Sequence, residues 1–322
     1  MACFIFKRWE WAGMQRVPPI GGELGPLADT FAEDFMKKVL GLMVAVSLLA
    51  WTLGCASSKQ LGPLNHGGGS GGGGGNGTVA SGNWAFVGSG TNGPMHIGGS
   101  LTGSGTSVSG DMFVVGGNGY AIGNSTGPMT VSGSVSNGTL TMTGVIGSST
   151  ITLTFTDVTS SGATSLPNGT FSVVGGTDAG DSGTMTGVMA SSFSGTWQGN
   201  EPVTTGLVSV EFTQASTATS TGGRAGSYPL TASGTGVVFS GIAGCTVTGT
   251  LDSALSFTAG DIVYLKIDTT DNIIAGHMIY LGFANDPTAP SMISGGGYVY
   301  AGGTNCMLQN DNTQHPLSLT KQ

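Results

Sequence analysis

The chain has 322 residues, 60 of them glycine, with 8% charged side chains and a formal net charge of −8 at pH 7. After position 55 twelve acidic residues face only four basic ones, which are Lys59, Arg224, Lys266 and Lys321. A surface so poor in cations cannot neutralise phosphates, which excludes nucleic-acid binding and charge-driven adhesion to anionic headgroups.

Residues 1–35 form a first segment that differs from the rest of the chain. They hold five of the seventeen acidic residues and show no clear periodicity. The segment that follows them is typical of an export signal, which works at the N-terminus of a chain. We therefore expect translation to begin at Met36, so that residues 1–35 are a mis-assigned start or else a disordered leader.

Residues 36–54 are typical of a lipoprotein signal peptide. Lys37 and Lys38 supply positive charge, and fifteen uncharged residues follow them at 39–53. As a helix this stretch would cover roughly 22 Å, short of the ~30 Å hydrocarbon core of a bilayer. The end of the segment resembles a lipobox, which implies that Cys55 becomes the diacylated N-terminus. The alternative is an ordinary cleaved signal that contains a cysteine.

Residues 55–80 are predicted to be a flexible linker, because the string GGGSGGGGGNG cannot bury apolar area. A linker of this length has a mean reach of roughly 25–30 Å. Ala56 and Ser57, which follow the cysteine without an Asp, resemble the start of lipoproteins that are sent to the outer membrane. We expect an exported outer-membrane lipoprotein, facing the periplasm or the surface, whose contact with the bilayer is its acyl chains.

From residue 81 onward apolar residues alternate with polar ones at period two, which is typical of half-buried antiparallel strands. Dense Gly, Ser and Thr oppose helices. The alternation predicts three sets of inward side chains: Ile151, Leu153 and Phe155; Val208, Val210 and Phe212; and Val263, Leu265 and Ile267. Asn-Gly pairs at 92–93, 118–119, 137–138 and 168–169 predict hairpin turns, because they supply the positive φ angles of a type I′ turn.

An internal repeat divides this part of the chain. Ser81-Gly-Asn-Trp84 is echoed by Ser194-Gly-Thr-Trp197, and the region 169–177 is echoed by 297–304. The sequence therefore predicts an all-β fold of two tandem antiparallel β modules, at 81–193 and 194–322. Each would be a small up-and-down barrel or a sandwich. One continuous sheet remains the alternative to two separate modules.

The repeat resembles a group of Gly/Ser/Thr-rich bacterial lipoproteins that are abundant in soil acidobacteria. Their paired β modules open with Gly-x-Trp and close with Gly-(Thr/Tyr)-x-Val-x-Gly-Gly-Cys. The resemblance covers roughly residues 81–322 and implies a fold, but no activity. Cys306 matches the closing cysteine, whereas the first module has Thr177 in that region.

Two cysteines remain once Cys3 is assigned to the leader and Cys55 to lipidation. Cys245 and Cys306 both lie in the second module, and the first module lacks both. Because disulfides persist in exported chains, we expect a Cys245–Cys306 bridge. The alternatives are two buried free thiols, or thiols that pair with other chains.

Trp84 and Trp197 recur at one position of the repeat. We expect each to plug a barrel end, with its indole N–H bonded near the rim. The alternative is an aromatic floor for a small apolar or sugar ligand. Asp178 and Asp181 are expected to be solvated turn residues rather than calcium ligands.

No catalytic residue, metal ligand set or cofactor motif emerges from the sequence. His66, His96, His277 and His315 have no metal-ligand spacing, and we expect isolated or internally satisfied histidines. The sequence predicts a non-catalytic binding or structural role at the cell envelope, with a small molecule or an envelope protein as partner. The alternatives are a lipocalin-like carrier of a small apolar ligand and an envelope hydrolase.

Overall fold

The computed structural model describes residues 78–116, 128–159, 161–176, 178–200, 207–232, 238–240, 246–270, 275–300 and 315–322. Both β modules belong to one compact unit, residues 69–322. Within the described ranges the secondary structure is eighteen strands and one 3-10 turn at Gly222–Arg224, without an α-helix. The dense Gly, Ser and Thr therefore act as the sequence predicts.

The first module is a closed up-and-down barrel, which we call barrel 1. Each strand pairs antiparallel with the next, and the eighth pairs with the first, so that Trp84 lies opposite Met189. The strands are β1 Gly82–Gly90, β2 Gly93–Ser104, β3 Ser107–Gly116, β4 Met129–Ser136, β5 Thr139–Ile146, β6 Ser149–Phe155, β7 Ser165–Val174 and β8 Ser182–Met189.

The second module, barrel 2, has ten strand segments. These are β9 Gly195–Asn200, β10 Leu207–Gln214, β11 Tyr228–Ala232, β12 Val238–Ser240, β13 Thr246–Leu251, β14 Phe257–Ala259, β15 Ile262–Thr270, β16 Ala275–Ala284, β17 Met292–Tyr300 and β18 His315–Lys321. β11 and β12 both pair with β10, and β13 and β14 both pair with β15. Each of these two pairs of segments therefore acts as one interrupted strand. Pairing of β18 with β9 closes a ring equivalent to eight strands.

The predicted two tandem antiparallel modules are confirmed, as two separate barrels rather than one continuous sheet or two sandwiches. The three predicted sets of inward side chains are confirmed as well, since all nine are at most 2% exposed. Alternate residues of a strand point to opposite faces of the sheet, so one set of side chains fills each barrel while the other faces outward.

The Asn-Gly pairs behave differently from one another. Asn137 and Gly138 have φ angles of 49° and 75°, as a type I′ turn requires, and they join β4 to β5. At 92–93 the hairpin turn is formed by Thr91 and Asn92, and Gly93 begins β2. The hairpin predicted at 168–169 is wrong: β7 continues through it with a register shift, and the ring of Phe155 fills the space beside Gly169. The pair at 118–119 lies outside the described residues.

None of the helical structure in the described ranges is long and apolar enough to cross a membrane.

Candidate functional site

Trp84 and Trp197 occupy equivalent positions in the two barrels. Trp84 lies in β1 and Trp197 in β9, the first strand of each barrel, and both side chains are 0% exposed. The indole N–H of Trp84 donates to the carbonyl of Ala80 at 2.9 Å, and that of Trp197 donates to the carbonyl of Phe193 at 2.8 Å. In each case the acceptor lies four residues earlier, so the repeat extends to the side-chain hydrogen bond.

The segments that supply these acceptors cover one end of each barrel. In barrel 1, Val79 is fully buried and bridges to Ala163, while the backbone N–H of Thr78 donates to Gly105 at 2.8 Å. In barrel 2, Phe193 is fully buried, and its N–H donates to the Gln214 side chain at 2.9 Å. Each tryptophan therefore packs directly under the segment that closes its barrel.

Large side chains fill both interiors. Trp84 stacks on Phe86 with ring centroids 5.7 Å apart, and Phe86 packs on Phe155 at 5.4 Å. Trp197 lies between Phe193 and Phe212, at 6.2 and 6.3 Å. None of the buried side chains in the two core clusters is more than 4% exposed. Side chains that line a ligand-sized cavity would be partly exposed to it. Because these described side chains are almost fully buried, they pack against one another and not around such a cavity.

The two barrels meet along a surface that we call the seam, where β14 and β15 lie against β1, β2 and β3. The backbone N–H of Gly260, in the turn between β14 and β15, donates to the Asn83 side chain of β1 at 2.7 Å. Opposite it, Gly98 of β2 has no room for a side chain, because a Cβ there would collide with the carbonyl of Ala259. The β14–β15 turn therefore rests on the backbone of barrel 1.

The centre of the seam is apolar. Phe113 of β3 packs against Phe257 of β14 with ring centroids 4.8 Å apart, and Ala259 and Ile262 are fully buried beside them. Partly buried side chains surround this cluster: Val115, Tyr264, Leu281 and Phe283. The burial of outward-facing aromatic residues from both barrels stabilises their contact.

His96 and Asp261 form a polar link across the seam. His96 Nδ1 and Asp261 Oδ2 lie 2.6 Å apart, the Asp261 carboxylate is fully buried, and the His96 ring stacks on Phe283 at 4.0 Å. Asn83 Nδ2, Thr258 Oγ1 and Asp261 Oδ1 are also buried, and none of them has a hydrogen-bond partner among the described residues. In hydrolytic triads a carboxylate also orients the catalytic histidine. That chemistry needs a nucleophilic hydroxyl group that is hydrogen-bonded to the other nitrogen of the imidazole. No described hydroxyl group hydrogen-bonds to His96.

The sequence predicts neither partner of this link. His96 is expected there to be isolated or satisfied, and Asp261 is only one of several acids in the second module. The two residues are 165 positions apart, so no local pattern could have joined them. Gly98 and Gly260 also lie against each other in the seam, where a Cβ on either residue would collide with the backbone of the other barrel. This requirement for glycine arises only where the barrels touch, so the sequence alone does not reveal it.

Asp178 and Asp181 are buried, at 2% and 3% exposure, so the prediction of solvated turn residues is wrong. Asp181 Oδ1 accepts hydrogen bonds from the Thr91 hydroxyl at 2.8 Å and from the Asn92 N–H at 3.2 Å. The carboxylate thus ties the β7–β8 connection to the β1–β2 turn. Within the described ranges, no group of three or more His, Cys, Asp or Glu side chains could hold a metal ion.

Arg224 lies at the edge of the seam, in the 3-10 turn between β10 and β11. Its guanidinium carbon is 5.2 Å from the centre of the Phe257 ring. Burial lowers the pKa of Arg224, an effect opposed by the charges of Tyr264 and Asp252. Burial also raises the pKa of Tyr264, which the charge of Arg224 opposes. Arg224 therefore packs on the Phe257 ring and interacts electrostatically with Tyr264 and Asp252.

The predicted lipidation site Cys55 and the predicted disulfide partners Cys245 and Cys306 lie outside the described residues. The strands next to those partners are described. β12 ends at Ser240 and β17 ends at Tyr300, and the antiparallel order places both strand ends at the same end of barrel 2.

A scan against family models, a search of curated proteins and a search of solved structures each gave no match to this chain.

Proposed function

We propose that this chain is an exported lipoprotein, anchored through acylated Cys55, whose two barrels form a non-catalytic binding or structural body at the outer membrane. The signal-like residues 36–54 and the Gly-rich linker at 55–80 support export and tethering. The observation that carries the proposal is the seam, because it joins two filled barrels into one body. Such a body offers its outer surface, rather than its interior, to a partner.

The packing of the interiors favours this role over that of a lipocalin-like carrier. A carrier needs an apolar cavity large enough to surround its ligand. Here Trp84, Phe86 and Phe155 stack across barrel 1, and Phe193, Trp197 and Phe212 stack across barrel 2. An enzyme would need a convergent nucleophile, acid or base, and His96 is engaged in the seam with Asp261.

The outer surface of barrel 1 supports attachment through the acyl chains rather than through the strands. One row of directly paired outward residues crosses five strands and carries only hydroxyl side chains: Ser134, Thr141, Thr154, Thr170 and Thr184. This row gives lipid tails little apolar area to contact, although Val145 and Val174 on the same outer face are 59% and 68% exposed. Two acyl chains, by contrast, give stable membrane attachment.

Palmitate labelling in the producing bacterium tests the anchor. We expect radioactive palmitate to be incorporated into the wild-type chain and its Cys245→Ser control, and not into Cys55→Ala. Globomycin, which blocks lipoprotein signal peptidase, should cause an unprocessed form to accumulate. Unlabelled wild-type protein that is insensitive to globomycin and is recovered inside the cell would refute the anchor.

A further inference from the structure

The seam joins two different faces of the repeated barrel. Barrel 2 contributes the hairpin of β14 and β15, which we call the docking hairpin. Barrel 1 contributes the outer face of β1, β2 and β3, which we call the receptor face. Because the strand order is equivalent, each barrel has a counterpart of both faces. A contact between unlike faces repeats from copy to copy, into a ring or an open chain, unless the counterparts are blocked.

The docking hairpin has a polar counterpart in barrel 1. Both hairpins join the fourth strand position of a barrel to the fifth through a two-residue turn, at 260–261 and at 137–138. Aligned on these turns, the outward residues of the docking hairpin correspond one by one to hydroxyl residues: Phe257, Ala259, Ile262 and Tyr264 to Ser134, Ser136, Thr139 and Thr141. The first three are buried in the seam. Barrel 1 therefore presents hydroxyl groups where docking needs apolar side chains.

The receptor face also has a counterpart, in β9 and β10 of barrel 2. Gly98 pairs with the residue after Trp84. Ser209 pairs with the residue after Trp197 and therefore occupies the same position in barrel 2. A Cβ at Gly98 would collide with the carbonyl of Ala259, so a serine at this position blocks the approach of a docking hairpin.

The next outward position of the receptor face differs in charge. Ser100 lies two residues after Gly98, and its side chain forms a hydrogen bond with Tyr228 of barrel 2. The same position in barrel 2 holds Glu211, an exposed carboxylate. Burial of an unpaired carboxylate against an apolar hairpin is costly. The counterpart in barrel 2 is therefore closed to a docking hairpin by bulk and by charge.

We propose that the seam is a one-way interface: the docking hairpin recognises the receptor face of this chain alone, and it docks on a second copy when the seams within both chains are blocked. The wild type does not polymerise, because its receptor face is filled by the barrel that residues 190–194 hold close to it. The proposal goes beyond the non-catalytic role and does not depend on the acyl anchor. A failed mixing experiment would leave the anchor intact, and a failed palmitate experiment would leave this interface intact.

Two complementary variants of the full chain test the proposal. Gly98→Val blocks the receptor face and leaves the docking hairpin free, whereas Ile262→Glu places a charge in the docking hairpin and leaves the receptor face free. The backbone N–H signals of nitrogen-15-labelled Ile262→Glu, purified from its producing cells, report on both faces by NMR. Unlabelled Gly98→Val should shift the signals of β1, β2 and β3 in a saturable manner. It should leave the signals of the hairpin at 137–138 unchanged.

Two controls use the same labelled protein. Unlabelled Ile262→Glu has a damaged docking hairpin, and the unlabelled wild type keeps its hairpin in its own seam, so neither should shift the β1–β3 signals. No response to Gly98→Val, an equal response to either control, or shifts centred on the hairpin at 137–138 would overturn the proposal. Phe113→Asp and Phe257→Asp block the same two faces, and they replace the first pair if either of its members does not fold.

Discussion

His96 in barrel 1 and Asp261 in barrel 2 are joined across the seam, with Nδ1 and Oδ2 2.6 Å apart. The carboxylate is fully buried, although only one of its oxygens has a hydrogen-bond partner within the described part of the chain. Buried acids persist in proteins where they are paired, because an unpaired buried carboxylate is costly. The link therefore depends on the two barrels staying in contact.

Replacement of Asp261 with alanine should destabilise the protein. The substitution removes the acceptor of His96 and leaves a polar group without a partner, which costs about 1–3 kcal/mol. The matched control is Asp268→Ala, since the Asp268 side chain is 55% exposed and forms a surface pair with Lys266 at 3.1 Å. That control should change stability by at most about 1 kcal/mol. Urea denaturation measures both, and equal effects would contradict a structural role for the link.

Trp84 and Trp197 should behave as core residues rather than as a ligand platform. They are the only tryptophans after position 55, so Trp84→Phe and Trp197→Phe each leave one reporter in a chain processed at Cys55. We expect blue-shifted fluorescence in both variants, because both side chains are 0% exposed. Addition of a long-chain fatty acid should leave the emission unchanged. A saturable shift or quench would instead favour the lipocalin-like carrier.

Three of the six tyrosines should ionise late in an alkaline titration. Burial raises the pKa of Tyr228, Tyr264 and Tyr280, so the fold favours the neutral phenol. A raised folded pKa gives stability that is present below the unfolded pKa of about 10 and is lost as the pH rises through the folded pKa. Absorbance at the phenolate band should therefore lag behind that of the urea-denatured chain. Coincident curves would contradict this burial.

The Cys245–Cys306 bridge remains a prediction that a thiol count can test. We expect no free thiol in denatured, unreduced protein processed at Cys55, and one in the Cys245→Ser variant. The bridge would close a loop of about 60 residues, worth nominally 3–4 kcal/mol by loop entropy. Reduction should therefore lower the urea midpoint of the wild type and leave that of Cys245→Ser unchanged. Two free thiols in the unreduced wild-type chain would refute the bridge.

Local patterns in the sequence predict the strands well. Ile151, Leu153 and Phe155 point inward because alternate side chains of a strand lie on opposite faces of the sheet. The same alternation appears in any strand that has one face buried and the other exposed. The echo of Trp84 in Trp197 likewise predicts two copies of one module. Both patterns can be read from a few neighbouring residues or from a repeat of the same motif along the chain.

The docking of the barrels could not be predicted in the same way. The contact of Gly98 with the β14–β15 turn and the pairing of His96 with Asp261 depend on two surfaces that lie far apart in the chain. The burial of Asp181 cannot be predicted from its local sequence for a related reason, because its partners, Thr91 and Asn92, belong to another hairpin. Composition predicts a polar turn there, but burial is decided by the closure of the barrel.

Residual dipolar couplings of the backbone N–H groups test most directly whether the seam makes one body of the two barrels. The couplings from barrel 1 and barrel 2 of the wild-type protein should fit a single alignment tensor. Gly98→Val, whose side chain would collide with the carbonyl of Ala259, should give two different tensors while the couplings within each barrel still fit its fold. Two different tensors in the wild-type protein would contradict the account.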